Sequence, residues 1–230
     1  MKVLAIDTSN YVLGVAIVDE EKVVGEVITN LPKNHSVRVM PTIEQLMKEC
    51  GIKPKDLEKI VVAMGPGSYT GVRIGVTIAK TLAWSLQIPL VGVSSLEVVA
   101  ANGRYFNGYI SPLFDARRGQ VYTGLYQYEG ETLTCIEEDK IILLSEWLEE
   151  LKKKETPVLF NGNDVVIHKK QIETDLEQFA YVAPYTDWNP RPSELAELGL
   201  KKEPVDVHTF VPNYIRLAEA EANWLGKRQG

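Results

Sequence analysis

The chain has 230 residues, 45% hydrophobic and 24% charged, so it is long enough to bury one large core or two small ones. Its formal net charge of −6 repels phosphate backbones on average, which argues against a protein that binds nucleic acid by itself. The cysteines, Cys50 and Cys135, have no CxxC or Cys/His companions, which excludes a disulfide framework and a zinc-binding motif.

The first part of the chain predicts three strands followed by alternating helices and strands. Short apolar runs separated by polar turns place the strands at 3–7, 12–18 and 22–29. Helical spacing and buried apolar runs then predict a helix over 36–50, a strand over 59–64, a helix over 70–86, a strand over 89–93 and a helix over 95–101. This order is typical of a mixed sheet covered by helices.

At Tyr109 the same order of elements begins again. Strands are predicted over 109–115, 120–128 and 131–142, followed by a helix over 145–153, a strand over 158–161, a helix near 165–172, a strand at 181–182, a helix from Ser193 and a terminal helix after an extended segment. The first strand of each half ends in an aspartate, Asp7 or Asp115. The repeat predicts an α/β protein with two lobes, 1–103 and 104–230, and its element order resembles the actin-like (ASKHA) fold.

The glycine-rich segment GPGSYTG lies where a buried strand turns into a helix. Free backbone N–H groups and the dipole at such a helix start can hold an anion. Thr70 takes the place of the last glycine of a Walker A loop and no Lys-Ser or Lys-Thr pair follows, so the segment is not of that type. The alternative is a tight turn that needs glycine dihedrals.

The polar residues after the first strand are a second candidate for ligand binding. In actin-like enzymes an aspartate at the place of Asp7 helps to hold metal and phosphate, and the following loop cradles nucleotide phosphates. The alternative is that Asp7 bonds its own turn, since no glycine follows it directly. We therefore expect that the chain requires no cofactor, and that any binding of ATP or ADP is weak. The candidate nucleotide or anion contacts are Asp7, Thr8, Ser9, Gly65, Gly67 and Ser68.

The helix predicted over 70–86 is apolar around most of its girth. Small residues recur at every fourth position, which allows one side of the helix to pack closely on the sheet. The remaining apolar side of this helix must contact either helices of the same chain or a partner protein. The helix over 36–50 widens this surface. The candidate partner-binding residues are Met40, Ile43, Met47, Gly71, Ile74, Gly75, Ile78 and Leu82.

The sequence predicts neither a catalytic residue nor a metal ligand. His35, His168 and His208 are isolated, and Val39 stands where an HxxxH pair would need its second histidine. A GxSxG elbow and a cysteine–histidine site are also missing from the sequence. Because Asp7 comes too early for a signal peptide and the most apolar helix carries charged residues, we expect a cytoplasmic protein without membrane contact.

Several motifs together closely resemble the TsaB (YeaZ-like) family: AIDTSN and GVAIVD near the start, GPGSYTGVRIG, PLVGVSSLE, DARRGQVY, and PNYIR near the end. The resemblance implies the actin-like fold and a non-catalytic relative of TsaD, the subunit that transfers threonylcarbamoyl to adenosine 37 of tRNAs reading codons beginning with A. It implies a homodimer when the chain is alone, and pairing with TsaD through the helices over 36–50 and 70–86. The ATPase TsaE would join that complex, and tRNA would be contacted only through it.

Two rival hypotheses describe the chain as an enzyme. An actin-like phosphotransferase or ATPase needs a second phosphate-binding loop with acidic metal ligands, for which FNGNDVV offers Asp164. A peptidase needs a nucleophile and a base, and no such pair is identifiable from the sequence. The turn from Asp115 to Arg118 is either a charged hairpin turn or a contact for a ligand or partner between the lobes.

Overall fold

A computed structural model describes residues 1–31 and 34–215, which form two five-stranded mixed sheets. The first sheet contains β1 (Val3–Asp7), β2 (Val12–Val18), β3 (Val23–Asn30), β4 (Lys59–Ala63) and β5 (Leu90–Val93). The second contains β6 (Tyr109–Asp115), β7 (Gln120–Glu129), β8 (Thr132–Leu143), β9 (Val158–Asn161) and β10 (Ala180–Val182). Their strand orders, β3-β2-β1-β4-β5 and β8-β7-β6-β9-β10, are equivalent. The predicted repeat and the two-lobed actin-like α/β fold are confirmed.

The α-helices of the described residues are α1 (Val39–Glu49), α2 (Tyr69–Leu86), α3 (Ser95–Ala100), α4 (Leu144–Lys152), α5 (Val165–Leu176) and α6 (Pro192–Leu200). The first helix starts later than predicted, because Asn34 caps a separate 3₁₀ turn over His35–Val37. Helix α5 runs past residue 172 because Leu176 is fully buried in the core of the second lobe. None of these helices is long and apolar enough to cross a membrane.

Helix α2 packs closely on the first sheet through its row of small residues. Ser68 caps the helix and accepts from the Gly71 N–H at 3.3 Å. A Cβ at Gly71 would overlap the carbonyl oxygen of Thr8, and one at Gly75 would crowd the Thr8 hydroxyl. That hydroxyl donates to the carbonyl of Gly71 at 2.7 Å. The predicted close approach of helix and sheet is therefore confirmed.

The last helix of each half crosses to the other lobe. Helices α1 and α2 lie against the first sheet, and α4 and α5 belong to the core of the second. In contrast, α3 packs on β6 and β7, and α6 packs on β1 and β2, where Leu195 and Ala196 are fully buried. The division at 103/104 assigned residues 192–200 to the second lobe, yet they lie on the first sheet because their apolar side completes its inner core.

The chain after α6 also returns to the first lobe. Val205 forms an antiparallel bridge with Leu90, and Phe210 joins the first core. The backbone N–H of Asn213 donates to the carbonyl of Met64 at 2.7 Å, which brings the chain to the start of α2. The predicted terminal helix lies outside the described residues.

Candidate interaction face and interlobe cleft

The outer side of the first lobe carries an apolar groove between α1 and α2, with a volume of about 620 Å³. We call it the α1–α2 groove. Four of the predicted partner-binding residues meet there: Met40, Ile43, Met47 and Leu82. The structure thus joins side chains from two helices that are distant in sequence into one surface feature.

The predicted partner-binding residues differ in exposure. Met40 is 44% exposed, whereas Ile43 and Met47 are buried at the floor of the groove. Ile74 and Ile78 are half-buried at the edge of the core. The two glycines of this set are buried against the sheet, so they position α2 and lie beneath its outer surface.

Trp84 is an exposed apolar residue of α2 that was not among the predicted partner-binding residues. It is 58% exposed on the last turns of α2, four and seven residues after Lys80 and Thr77. Helix α2 contains no acidic residue, and the Lys80 ammonium donates to the carbonyl of Phe210 at 2.6 Å. Exposed aromatic rings are enriched in protein interfaces, and the charged residues Glu44, Lys48 and Lys53 line the groove beside its apolar floor. The sequence places Trp84 in the helix predicted over 70–86, but its exposure became evident only in the structure.

A cleft of about 700 Å³ separates the lobes. Its first-lobe wall includes Ser9, Asn10, Asn34, His35 and the residues from Pro66 to Val72. Its second-lobe wall includes Asp115, Arg117, Arg118, Tyr122 and Asp164. The acidic and basic residues that line the cleft, apart from His35, therefore belong to the second lobe.

Three of the six predicted anion contacts line this cleft: Ser9, Gly67 and Ser68. Asp7 is fully buried behind the wall, and its Oδ1 accepts from the Ser9 N–H at 2.8 Å. Burial raises the pKa of the Asp7 carboxyl, opposed by this hydrogen bond. Thr8 supports α2, and the Gly65 N–H donates to Ser95 Oγ at 3.0 Å. Asp7 thus bonds its own turn, which was the alternative interpretation from the sequence.

The opposite wall contains a carboxylate–histidine pair that sequence reasoning missed. His168 Nε2 lies 3.0 Å from Asp115 Oδ1, and Asp164 Oδ2 accepts from the Asp115 N–H at 2.9 Å. Burial raises the pKa of Asp164, and that backbone hydrogen bond opposes the rise. Because His168 and Asp115 are 53 residues apart, no local pattern could have joined them. Among residues 1–31 and 34–215, no group of three or more His, Cys, Asp or Glu side chains is arranged to hold a metal ion.

His35 has one satisfied and one unsatisfied ring nitrogen. Its Nε2 lies 2.7 Å from the carbonyl oxygen of Asn10, so Nε2 carries the hydrogen and donates. Its Nδ1 and the Ser9 Oγ are both buried, and neither has a hydrogen-bond partner in the structure. They are therefore not bonded to each other, although such a bond is what a serine nucleophile and its base require.

Comparison with known proteins gives consistent matches along the whole chain. A family model described as "TsaD: tRNA N6-adenosine threonylcarbamoyltransferase" matches residues 22–224. The "tRNA threonylcarbamoyladenosine biosynthesis protein TsaB" of Bacillus subtilis (strain 168) is 60% identical over 225 residues, which covers 98% of each chain. The protein of the same name from Escherichia coli (strain K12) is 34% identical over 152 residues, which covers 65% of each chain.

A solved structure supports the fold. "YeaZ from Pseudomonas aeruginosa" superimposes with a TM-score of 0.78 over 93% of this chain and 99% of that chain, at 23% sequence identity. At this identity the match shows a shared fold. The sequence matches decide the family, since one relative aligns over nearly the full length of both chains. The chain belongs to the TsaB (YeaZ-like) family of tRNA threonylcarbamoyladenosine biosynthesis proteins.

Proposed function

We propose that this chain is the non-catalytic dimerisation partner of a TsaD-type transferase, required for threonylcarbamoylation of adenosine 37 in tRNAs reading codons beginning with A. The observation that carries the proposal is the apolar surface formed by the α1–α2 groove and the adjoining side of α2. Partly exposed apolar side chains such as Ile74 and Ile78, and the exposed Trp84 nearer the end of the same helix, are costly to leave in water. A partner would remove them from water.

The relation to TsaD supports a partner of the same fold. Since the TsaD family model matches residues 22–224, a TsaD-type protein would present helices equivalent to α1 and α2. Two related surfaces can then pack around a pseudo-two-fold axis, as isologous interfaces do. The same surface would hold two copies of this chain together when TsaD is absent. A TsaE-like ATPase would join the heterodimer, and the net charge of −6 fits tRNA contact only through the complex.

The rival enzyme hypotheses find weaker support in the geometry. A peptidase would need the unbonded Ser9 and His35 to pair. A phosphotransferase would need acids exposed to a metal-bound nucleotide, but Asp7 is behind the wall and Asp115 is paired with His168. A role in binding requires neither arrangement.

Size-exclusion chromatography with light scattering tests the proposal. The chain is run alone and then mixed with the TsaD-type subunit of the same organism. We expect a one-to-one heterodimer with the natural chain and its loss in the double variant Ile74→Glu plus Ile78→Glu, because two buried charges would replace apolar contacts.

The matched control adds the same two charges to the second lobe. Val166 and Ile136 are exposed apolar residues there, so Val166→Glu plus Ile136→Glu should keep the heterodimer. Circular dichroism shows that each variant is folded. If the natural chain forms no heterodimer, even with ATP and the TsaE-like protein present, the partner role is lost and the enzyme hypotheses come forward.

A further inference from the structure

We propose that residues 216–230, which we call the terminal segment, bind back onto the exposed side of α2 in the free chain and cover part of the partner surface. A TsaD-type subunit or a second copy of this chain would then have to displace them. This competition rests on the proposed partner role, whereas the intramolecular contact does not. The terminal segment lies outside the described residues. The observations that support its placement are the path of the chain up to Ile215, the surface of α2 and the sequence after Ile215.

The described chain after α6 runs beside α2 toward the first turn of that helix. The Lys80 ammonium donates to the carbonyls of His208 at 3.3 Å and Phe210 at 2.6 Å. Tyr214 then reaches the first turn of α2, where its ring centroid lies 5.0 Å from that of Tyr69. The terminal segment therefore starts beside the beginning of α2.

The side of α2 near this point is partly apolar and carries a positive charge. Ile74 and Ile78 are half-buried, and Thr77 is exposed between them. Ile74 and Ile215 both line the cleft at the start of α2. Arg73 is exposed in the same turn as Ile74, and α2 contains no acidic residue. This surface is suited to an apolar segment that carries acidic residues.

The sequence after Ile215, RLAEAEANWLGKRQG, predicts a short helix of this kind. Residues 217–225 are mostly strong helix formers, and Gly226 predicts the end of the helix. A helix of this length spans about 14 Å, as much as α2 does from Tyr69 to Ile78. Such a short helix is marginal by itself in water, so it depends on packing its apolar side against another surface.

The charges of the terminal segment match those of α2 if the two helices run in the same direction. Glu219 and Glu221 would then lie near Arg73. Lys227 and Arg228 would lie near the last turn of α2, which has no basic residue of its own. The C-terminal end of a helix carries a partial negative charge, which favours cations there.

The contact needs little intrinsic affinity, because the terminal segment directly follows a residue that is already held against α2. Tethering over so short a distance gives an effective concentration in the millimolar range. Trp224 and Leu225 would lie beside Ile78 and Leu82, where burial of their apolar area stabilises the contact. Because Ile78 and Leu82 also belong to the proposed partner surface, the terminal segment and a partner cannot occupy it together.

Disulfide trapping in the free full chain tests the contact, after Cys50 and Cys135 are replaced by serine. The test pair is Thr77→Cys plus Ala222→Cys, because these positions follow the two contacting tyrosine rings at the same spacing. Mild oxidation should close an intramolecular disulfide about tenfold or more faster than in the control pair, since docking holds the two thiols together. The control is Thr174→Cys plus Ala222→Cys, since Thr174 is an exposed threonine on α5.

Three results would overturn the intramolecular contact. The first is closure of the test pair no faster than the control. The second is faster closure of Ile167→Cys plus Ala222→Cys, because Ile167 lines the cleft and would place the terminal segment there. The third is a disulfide found only in a covalent dimer, which would assign the segment to a second copy. In contrast, Trp224→Glu should slow closure of the test pair to the control rate.

The affinity of the heterodimer tests the competition. Trp224→Glu in the otherwise natural chain should lower the Kd for the TsaD-type subunit by about threefold to tenfold, as expected if the segment is docked in roughly 70–90% of free molecules. An unchanged or higher Kd would contradict the competition. If neither chain forms a heterodimer, the partner role fails, whereas the disulfide between positions 77 and 222 still decides whether the segment docks.

Discussion

The outer helix pairs of the two lobes occupy equivalent places in the repeat but present different surfaces. The pair α1 and α2 leaves apolar side chains half-exposed around a groove. The pair α4 and α5 is mostly charged on its outside, with ion pairs such as Lys169–Glu173 at 3.6 Å and Lys152–Glu177 at 3.1 Å. Its exposed apolar residues, Val166 and Ile167, are confined to the first turn of α5. The shared fold therefore carries a partly exposed apolar surface on one lobe and a mostly charged surface on the other.

Two tryptophans, one in each helix pair, illustrate this difference between the outer surfaces. Trp147 of α4 is fully buried, and its indole N–H donates to Ser111 Oγ at 3.0 Å. Trp84 of α2 is 58% exposed. The first ring is part of a core, whereas the second is available to another protein.

The largest expected effect is on stability, and it belongs to the second lobe. Trp147→Ala should lower the free energy of unfolding by about 3–5 kcal/mol, since it leaves a cavity and removes the indole hydrogen bond to Ser111. Trp84→Ala should change it by less than about 1 kcal/mol, because little contact within the chain is lost. Urea unfolding followed by circular dichroism measures both. Equal losses for the two variants would contradict the contrast between the lobes.

The order of effect of these two variants should be reversed when binding to the TsaD-type subunit is measured. Trp84→Ala should weaken the heterodimer with the TsaD-type subunit by about 1–2 kcal/mol, or roughly 5- to 30-fold in Kd, because a tryptophan at an interface is often a main contributor. Folded Trp147→Ala should bind with unchanged Kd. Biolayer interferometry at a temperature where both variants are folded gives the comparison. An unchanged Kd for Trp84→Ala would move the partner surface away from the last turns of α2.

A smaller effect concerns the junction between the lobes. The Asp139 carboxylate of β8 accepts hydrogen bonds from Ser94, at the start of α3, and from Tyr126. Burial raises the pKa of Asp139, and that of nearby Glu97 is raised for the same reason. The native state then binds more protons than the unfolded state between the two pKa values of Asp139. The contribution of Asp139 to the free energy of unfolding is fully present below its unfolded pKa. It is lost as pH rises through its folded pKa.

Asp139→Asn tests that dependence. Urea midpoints measured from pH 4 to pH 8 should fall less steeply with rising pH in the variant than in the natural chain. The difference between the two curves isolates Asp139 together with its electrostatic effect on Glu97, whose pKa it helps to raise. Parallel curves would show that Asp139 does not titrate across this range.

Much of the fold could be predicted because local patterns determine it. Apolar runs and turn residues located all ten strands of the described chain, and the small-residue row of α2 correctly predicted close packing on the sheet. The predicted start of α1 was too early. Asn34 caps a separate 3₁₀ turn, and in the sequence this turn is not distinguishable from the first turn of the helix. Periodicity does not distinguish a helix start from such a turn.

What the sequence could not provide are contacts between distant elements. The crossing of α3 and α6 onto the opposite sheets has no local pattern, since the same apolar side could face either core. The pairing of His168 with Asp115 and the burial of polar atoms of Ser9, Asn10 and His35 also depend on how the lobes and loops meet. The residues proposed for partner binding were identified as apolar, but their order of exposure, with Met40 outside Ile43, required the structure.

Hydrogen–deuterium exchange tests the partner surface most directly. The free chain and its heterodimer with the TsaD-type subunit are compared peptide by peptide. Slower exchange on binding should be confined to peptides covering α1 and α2, while those covering α4 and α5 exchange at unchanged rates. Protection of α4 and α5 instead, or of neither pair in a heterodimer shown to be intact, would contradict the account.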